Sequence, residues 1–128
     1  MNLLLDTHIL IWLALDTLPQ SAVPYIFDEL NQLFFSPASI WEIIIKRSLN
    51  RPDFNINPHL LYTGLFDNGY TELHITSQHT LLIDTLPDIH KDPFDRVLLA
   101  QALAEDMPLL TFDNTLNEYP VPLIVLKR

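Results

Sequence analysis

Short apolar runs recur along the chain at a spacing that suits strands alternating with helices. Leu3-Leu4-Leu5, Leu33-Phe34-Phe35, Glu72-Leu73-His74-Ile75, Leu109-Leu110-Thr111 and Leu123-Ile124-Val125-Leu126 read as strands. Unbroken apolar runs of this length are typical of strands covered on both faces of a parallel sheet. The intervening segments predict helices over His8 to Leu15, from Pro19 or Ser21 to Leu30, from Ser36-Pro37 to about Leu49, His59 to Asn68, Ser77 to Thr85, and from Asp92-Pro93 to about Asp106. Ser36-Pro37 and Asp92-Pro93 each set a side-chain N-cap before a proline at the first helical position, and Gly69 stands where a helix would close. Asn50 to Pro58 and Leu86 to Lys91 read as loops. With no internal repeat and no linker, the pattern predicts a single α/β domain over residues 1–128, its sheet parallel or mostly parallel and flanked by helices.

Four acids break this pattern. Asp6 ends the first strand, Glu42 interrupts Ile40-Trp41-Glu42-Ile43-Ile44-Ile45, Asp95 opens the helix that continues Val97-Leu98-Leu99-Ala100, and Asp113 follows Leu110-Thr111-Phe112. A lone buried carboxylate costs several kcal/mol, so it protonates, finds a cation or holds a metal. Ligands of open α/β sheets bind outside the carboxyl ends of the strands, where Asp6 and Asp113 fall. Convergence of the four acids at one sheet edge is self-repulsive without a divalent cation, which makes metal-dependent hydrolysis the leading chemistry. Hard oxygen donors favour Mg²⁺ or Mn²⁺ over zinc.

Each acid also has a structural explanation. Asp6 can cap the next helix. Glu42 follows Ser39 in an S-x-x-E capping pattern and precedes Lys46 at ion-pair spacing, yet its apolar neighbours make that helix hydrophobic nearly all round, which predicts burial. Asp95 lies in a first turn, where the helix dipole favours an anion, but shares a face with Leu98, Leu99 and Ala102. Asp113-Asn114 can be an ordinary turn.

Nearby groups are candidate supports. Thr7 can donate to Asp6 or a phosphate, Thr111 can face the same crevice as Asp113, and Arg96 and Lys46 can pair with a carboxylate or hold a phosphate. Asp92 reads as a cap and His90 as a loop residue. His8, His59, His74 and His79 show no metal-binding spacing and read as core or surface, and Trp12 and Trp41 read as core packing.

Composition narrows the classes. The 128 residues are 48% hydrophobic, enough for a sizeable core. No apolar run is long enough for a membrane span, and the first residues do not resemble a signal peptide. The chain has no cysteine, which excludes disulfides, thiolate metal sites and a cysteine nucleophile, and fits a cytoplasmic location. Its two glycines exclude a phosphate-binding or dinucleotide loop. The formal charge of −9 argues against broad electrostatic binding of nucleic acid, so an RNA substrate would need the metal and a local basic patch.

Taken in order, Leu4-Leu5-Asp6-Thr7-His8 with Trp12, Ser36-Pro37-Ala38-Ser39-Ile40-Trp41-Glu42-Ile43 with Lys46, His90-Lys91-Asp92-Pro93-Phe94-Asp95-Arg96 with Leu99-Ala100-Gln101-Ala102, and Leu110-Thr111-Phe112-Asp113 resemble the PIN-domain ribonucleases, specifically the toxins of VapBC toxin–antitoxin systems. The match runs from Asn2 to about Val125. The resemblance implies a three-layer α/β/α fold with a central, mainly parallel sheet. It implies a Mg²⁺- or Mn²⁺-dependent endoribonuclease that hydrolyses RNA with a metal-activated water, Asp6, Glu42, Asp95 and Asp113 at the acidic positions and Thr111 at the hydroxyl position. It further implies a cognate antitoxin whose tail covers the acidic site, and a homodimer.

Two alternatives remain. The same fold could be a non-catalytic protein-interaction or RNA-binding module with the acids only capping helices; a degenerate domain usually loses an acid, and here none is missing. A haloacid-dehalogenase-like phosphatase needs a second Asp two residues after the first, where this chain has His8.

Overall fold

The computed structural model describes residues 1–50, 52 and 54–128; Arg51 and Asp53, in the stretch expected to be a loop, lie outside the described residues. Its strands are β1 (Asn2–Leu5), β2 (Gln32–Phe35), β3 (Thr71–Glu72), β4 (Leu109–Thr111) and β5 (Leu123–Val125). They form one sheet in the order β3-β2-β1-β4-β5, with every pairing parallel. The helices are α1 (Thr7–Ala14), α2 (Val23–Ile26), α3 (Pro37–Ser48), α4 (Pro58–Asp67), α5 (Ser77–Ile83) and α6 (Pro93–Glu105), with short 3-10 turns at Gln20–Ala22 and Asn114–Glu118.

Alternation of side chains along the strands explains the three layers. Leu3 and Leu5 enter one core with Ile9, Leu10, Phe35 and Ile43, while Leu4 enters the other with Leu98, Leu99 and Leu116. The neighbouring strand splits the same way, Leu110 to the first core and Leu109 to the second. Each fully buried Leu contributes about 1.5–3 kcal/mol, so the central strands are held from both faces. This is the three-layer α/β/α architecture expected, with a sheet that is parallel throughout.

The N-caps fall where the sequence places them. The Ser36 side chain accepts from the Ala38 amide, and Asp92 accepts from the amides of Phe94 and Asp95. Asn57 caps α4, and Gly69 follows that helix at φ 83°, a left-handed conformation that glycine adopts without a Cβ penalty.

Three expectations need correction. The helix expected to reach Leu30 stops at Ile26, because Asp28 Oδ1 accepts from the Leu30 amide and turns the chain first. The strand expected at Glu72 to Ile75 is only Thr71–Glu72. Its partner β2 ends at Phe35, and the Leu73 carbonyl is taken by buried Gln101, so the ladder has nothing further to pair with. Helix α3 is not buried all round: Trp41, Ile44 and Ile45 face outward, and Glu42 and Ile43 face in. No helix among the described residues is long and apolar enough to cross a membrane.

The strand order positions the site. The chain moves from β1 outward through β2 to β3, then returns to the other side of β1 for β4 and β5. The reversal leaves a crevice outside the carboxyl ends of β1 and β4, the place where such sheets bind ligands.

Candidate active site

Asp6 follows the last residue of β1, and its amide bonds the Leu110 carbonyl across the crevice. That register brings Thr111 beside it: Thr111 Oγ1 donates to Asp6 Oδ2, and accepts from the Asp113 amide. Asp6 occupies the N-cap position of α1, but its carboxylate makes no capping bond. The carboxylate is therefore free to face the crevice, while buried.

A cavity of about 400 Å³ opens there, lined by Asp6, Glu42, Asp95 and Asp113 with Lys46, Asp92, His8, Trp12 and Phe112. The acids predicted to converge do so. α3 delivers Glu42, and α6 delivers Asp95 from its first turn. Lys46 Nζ stands 3.6 Å from Glu42 Oε2, a helical i,i+4 pair. The other oxygen, Glu42 Oε1, is buried with no hydrogen-bond partner among the described residues. An unsatisfied buried acceptor of this kind costs about 1–3 kcal/mol or more when charged.

The electrostatics are strained in the same direction. Asp95 is pushed up from 3.8 to about 7, first by burial, then by the charges of Asp6 and Asp92, with a smaller push from Glu42; His90 opposes these. Asp6 is also raised, by burial first and to a lesser degree by Asp113, against the Thr111 hydrogen bond and the nearby His8. Acids that cannot comfortably ionise together are what a divalent cation relieves.

His90 was expected to be a loop residue without a role. Its Nε2 lies 2.8 Å from Asp95 Oδ2 and 3.9 Å from Asp113 Oδ2. One donor atom from each of these three residues lies within 4.8 Å of the others, a spacing able to hold a metal ion. The main chain of His90 is clamped as well: its amide donates to the Tyr119 hydroxyl, and its carbonyl accepts from Tyr119 and Arg96. Asp113 divides its oxygens. Oδ1 caps the following 3-10 turn through the amide and hydroxyl of Thr115, so the ordinary turn and the site coexist.

Two supporting residues point elsewhere. Thr7 Oγ1 donates to Ser39 Oγ, 2.9 Å away and buried, which ties α1 to α3, and Thr7 serves Asp6 through its backbone instead. Arg96 gives its guanidinium to the carbonyls of Ile83, Pro87 and His90. It staples the loop before α6, with no carboxylate partner among the described residues. Trp12, expected in the core, packs partly against it and also walls the cavity, as Phe112 does. Spacing carried one readable signal for this: on a helix starting at Thr7, His8 and Trp12 lie one turn apart on the same face.

The donor set fits a hard divalent cation such as Mg²⁺ or Mn²⁺: carboxylate oxygens dominate the cavity lining, and one of them is buried without a hydrogen-bond partner among the described residues.

The PIN domain family model matches residues 3–122. No curated protein matches the chain in sequence. The solved structures that share its fold include three VapBC complexes. VapBC2 from Rickettsia felis, bound to a DNA fragment from its promoter, is 16% identical with a TM-score of 0.72, the match covering 99% of this chain and 98% of that one. DNA-bound VapBC from Salmonella typhimurium is 13% identical with a TM-score of 0.69, over 98% of each chain. VapBC-1 from nontypeable Haemophilus influenzae is 17% identical with a TM-score of 0.66, again over 98% of each. With the family's match spanning nearly its whole length and the acids gathered at the switch in the sheet, this chain belongs to the PIN domain family.

Proposed function

We propose that the protein is a metal-dependent endoribonuclease, the toxin of a VapBC-type pair. The observation that carries the reading is the single cavity into which Asp6, Glu42, Asp95 and Asp113 converge, with one Glu42 oxygen buried and unpartnered. Asp6, Glu42, Asp95 and Asp113 would hold Mg²⁺ or Mn²⁺. When bound, such an ion supplies a low-pKa water near neutral pH and positive charge for the developing oxyanion.

The chain's own residues do the rest. Thr111 orients Asp6 through its hydroxyl, and His90 holds one oxygen of Asp95. Lys46, the cation lining the cavity, is placed to meet a phosphate oxygen of RNA. With water as the nucleophile in place of the ribose 2′-OH, and the ribose 3′ oxygen as the leaving group, the products carry 5′-phosphate and 3′-OH ends.

Partners follow from the same features. The structural kinship with VapBC complexes supports a cognate antitoxin, and an acidic cavity suits a basic side chain, best an Arg, inserted from its tail. Outward-facing Trp41, Ile44 and Ile45 on α3 supply an apolar face for a homodimer. An RNA substrate and a chain without cysteine support a cytoplasmic location.

The decisive experiment is incubation of the purified protein with a mixed RNA pool in Mg²⁺, Mn²⁺ or EDTA, beside Asp6→Asn and Asp95→Asn. The expected result is cutting that needs the metal, vanishes in both variants and leaves 5′-phosphate ends. Products ending in 2′,3′-cyclic phosphate, or native-rate cutting by either variant, would sink the assignment. Absence of both cutting and Mn²⁺ binding would favour a non-catalytic interaction module.

A further inference from the structure

The cavity is lined by aromatic rings as well as acids. Trp12 and Phe112 have ring centroids 5.0 Å apart and planes at 90°, and the His8 ring lies 5.8 Å from that of Trp12. Both large rings are partly buried, each resting on the core beneath the sheet. The Trp12 ring is met from outside by the guanidinium of exposed Arg128, 4.8 Å from its centroid. A planar, delocalised group on a long exposed side chain thus already lies over this ring.

Stacking also answers the charge problem. A chain of formal charge −9 cannot gather RNA by a broad basic surface. Aromatic faces bind bases of single strands whatever their sequence, because every base has a π face. The basic groups near this wall, Lys46 within the cavity and Arg128 over Trp12, suffice to meet one or two phosphates, with Arg128 able to do so bidentately.

We propose that the Trp12–Phe112 wall is a nucleobase subsite, which stacks one unpaired base of single-stranded RNA and so sets the adjacent phosphodiester over the acids. The proposal rests on the nuclease reading for its substrate, but its test does not depend on cleavage. Trp12 and Trp41 are the only two tryptophans, and Trp41 is 60% exposed on the far side of α3's buried face, so Trp41→Phe leaves Trp12 as the single indole reporter.

The measurement is indole fluorescence of the full chain carrying Trp41→Phe and Asp95→Asn, in Mg²⁺, titrated with a short mixed-sequence single-stranded RNA and with a strand of equal length lacking its bases. The expected result is saturable quenching by RNA and about tenfold or greater weakening with the base-free strand. Polarisation of labelled RNA on the Asp95→Asn chain should show Trp12→Ala weaker than Trp12→Phe by a similar factor, with melting curves confirming that both fold. Equal binding of the two strands, absence of quenching, or quenching by an Arg-containing peptide but not by RNA overturns the subsite. If wild-type protein cleaves RNA while quenching is absent, the subsite fails and the nuclease stands; quenching without cleavage is the reverse.

Discussion

Asp95 is the residue whose proton the fold controls most directly. Folding raises its pKa from 3.8 to about 7, with burial as the main cause. Between those values the folded chain binds more protons than the unfolded one, so this group's stabilisation is complete below about pH 4 and is lost as pH rises through about 7. Metal-free protein is therefore expected to lose melting temperature across that window, and Mn²⁺ to restore it increasingly towards pH 7, where the carboxylate is ready to bind and one proton is released. In Asp95→Asn the slope should flatten and the metal effect shrink. Differential scanning calorimetry from pH 4 to 8, with and without Mn²⁺, checks this; an unchanged slope in the variant would show that other groups govern it. His90 modulates the same equilibrium because its imidazole touches Asp95.

Helix starts decide how accurately the acids are aimed. α3 begins at Pro37 with the Ser36 side chain capping it from a fully buried position, and the helix then carries Glu42 into the cavity little more than one turn later. Ser36→Ala removes that acceptor and leaves the Ala38 amide unpaired, at a cost of about 1 kcal/mol. Urea unfolding should report this loss, and calorimetric Mn²⁺ titration should report weaker binding, since the first turn sets where Glu42 points. Ser36→Thr, which keeps a hydroxyl acceptor without adding a charge to a buried position, should recover most of the stability. If Ser36→Ala leaves both measurements unchanged, the cap does not position the acid. α6 uses the same device, with Asp92 capping and Asp95 in the first turn, so two of the acids sit on helices with side-chain-fixed origins.

As a whole the molecule presents two contrasting surfaces, an acidic crevice at the switch in the sheet and an apolar face on α3. Trp41, Ile44 and Ile45 lie outward there, and Trp41 packs edge-on against Phe94 of α6, 5.2 Å between centroids. Under the proposed function this exposed apolar patch is the homodimer surface. Sedimentation equilibrium should find a dimer for the native chain and a monomer for Ile44→Lys, which buries a charge at the interface while leaving the core untouched. A monomeric native chain would remove the homodimer from the proposed function.

Much of this organisation is local and was legible for that reason. Ser36 and Asp92 before prolines, the apolar runs at 3–5, 33–35 and 109–111, and Gly69 after α4 specify elements through contacts a few residues apart. The four acids stood out because a carboxylate among apolar neighbours is costly wherever the chain folds, although Glu42 was expected inside for a reason that failed: its neighbours Trp41, Ile44 and Ile45 face outward. Convergence was decided at long range. The pairing of β1 with β4 joins Asp6 to Thr111, 105 residues apart, and sets Trp12 against Phe112. The clamp of Tyr119 and Arg96 on His90 turns a loop residue toward Asp95 and engages the Arg96 guanidinium with main-chain carbonyls, while Ser39 claims the Thr7 hydroxyl. Side-chain direction depends on which distant partner arrives, and no spacing along the chain encodes that.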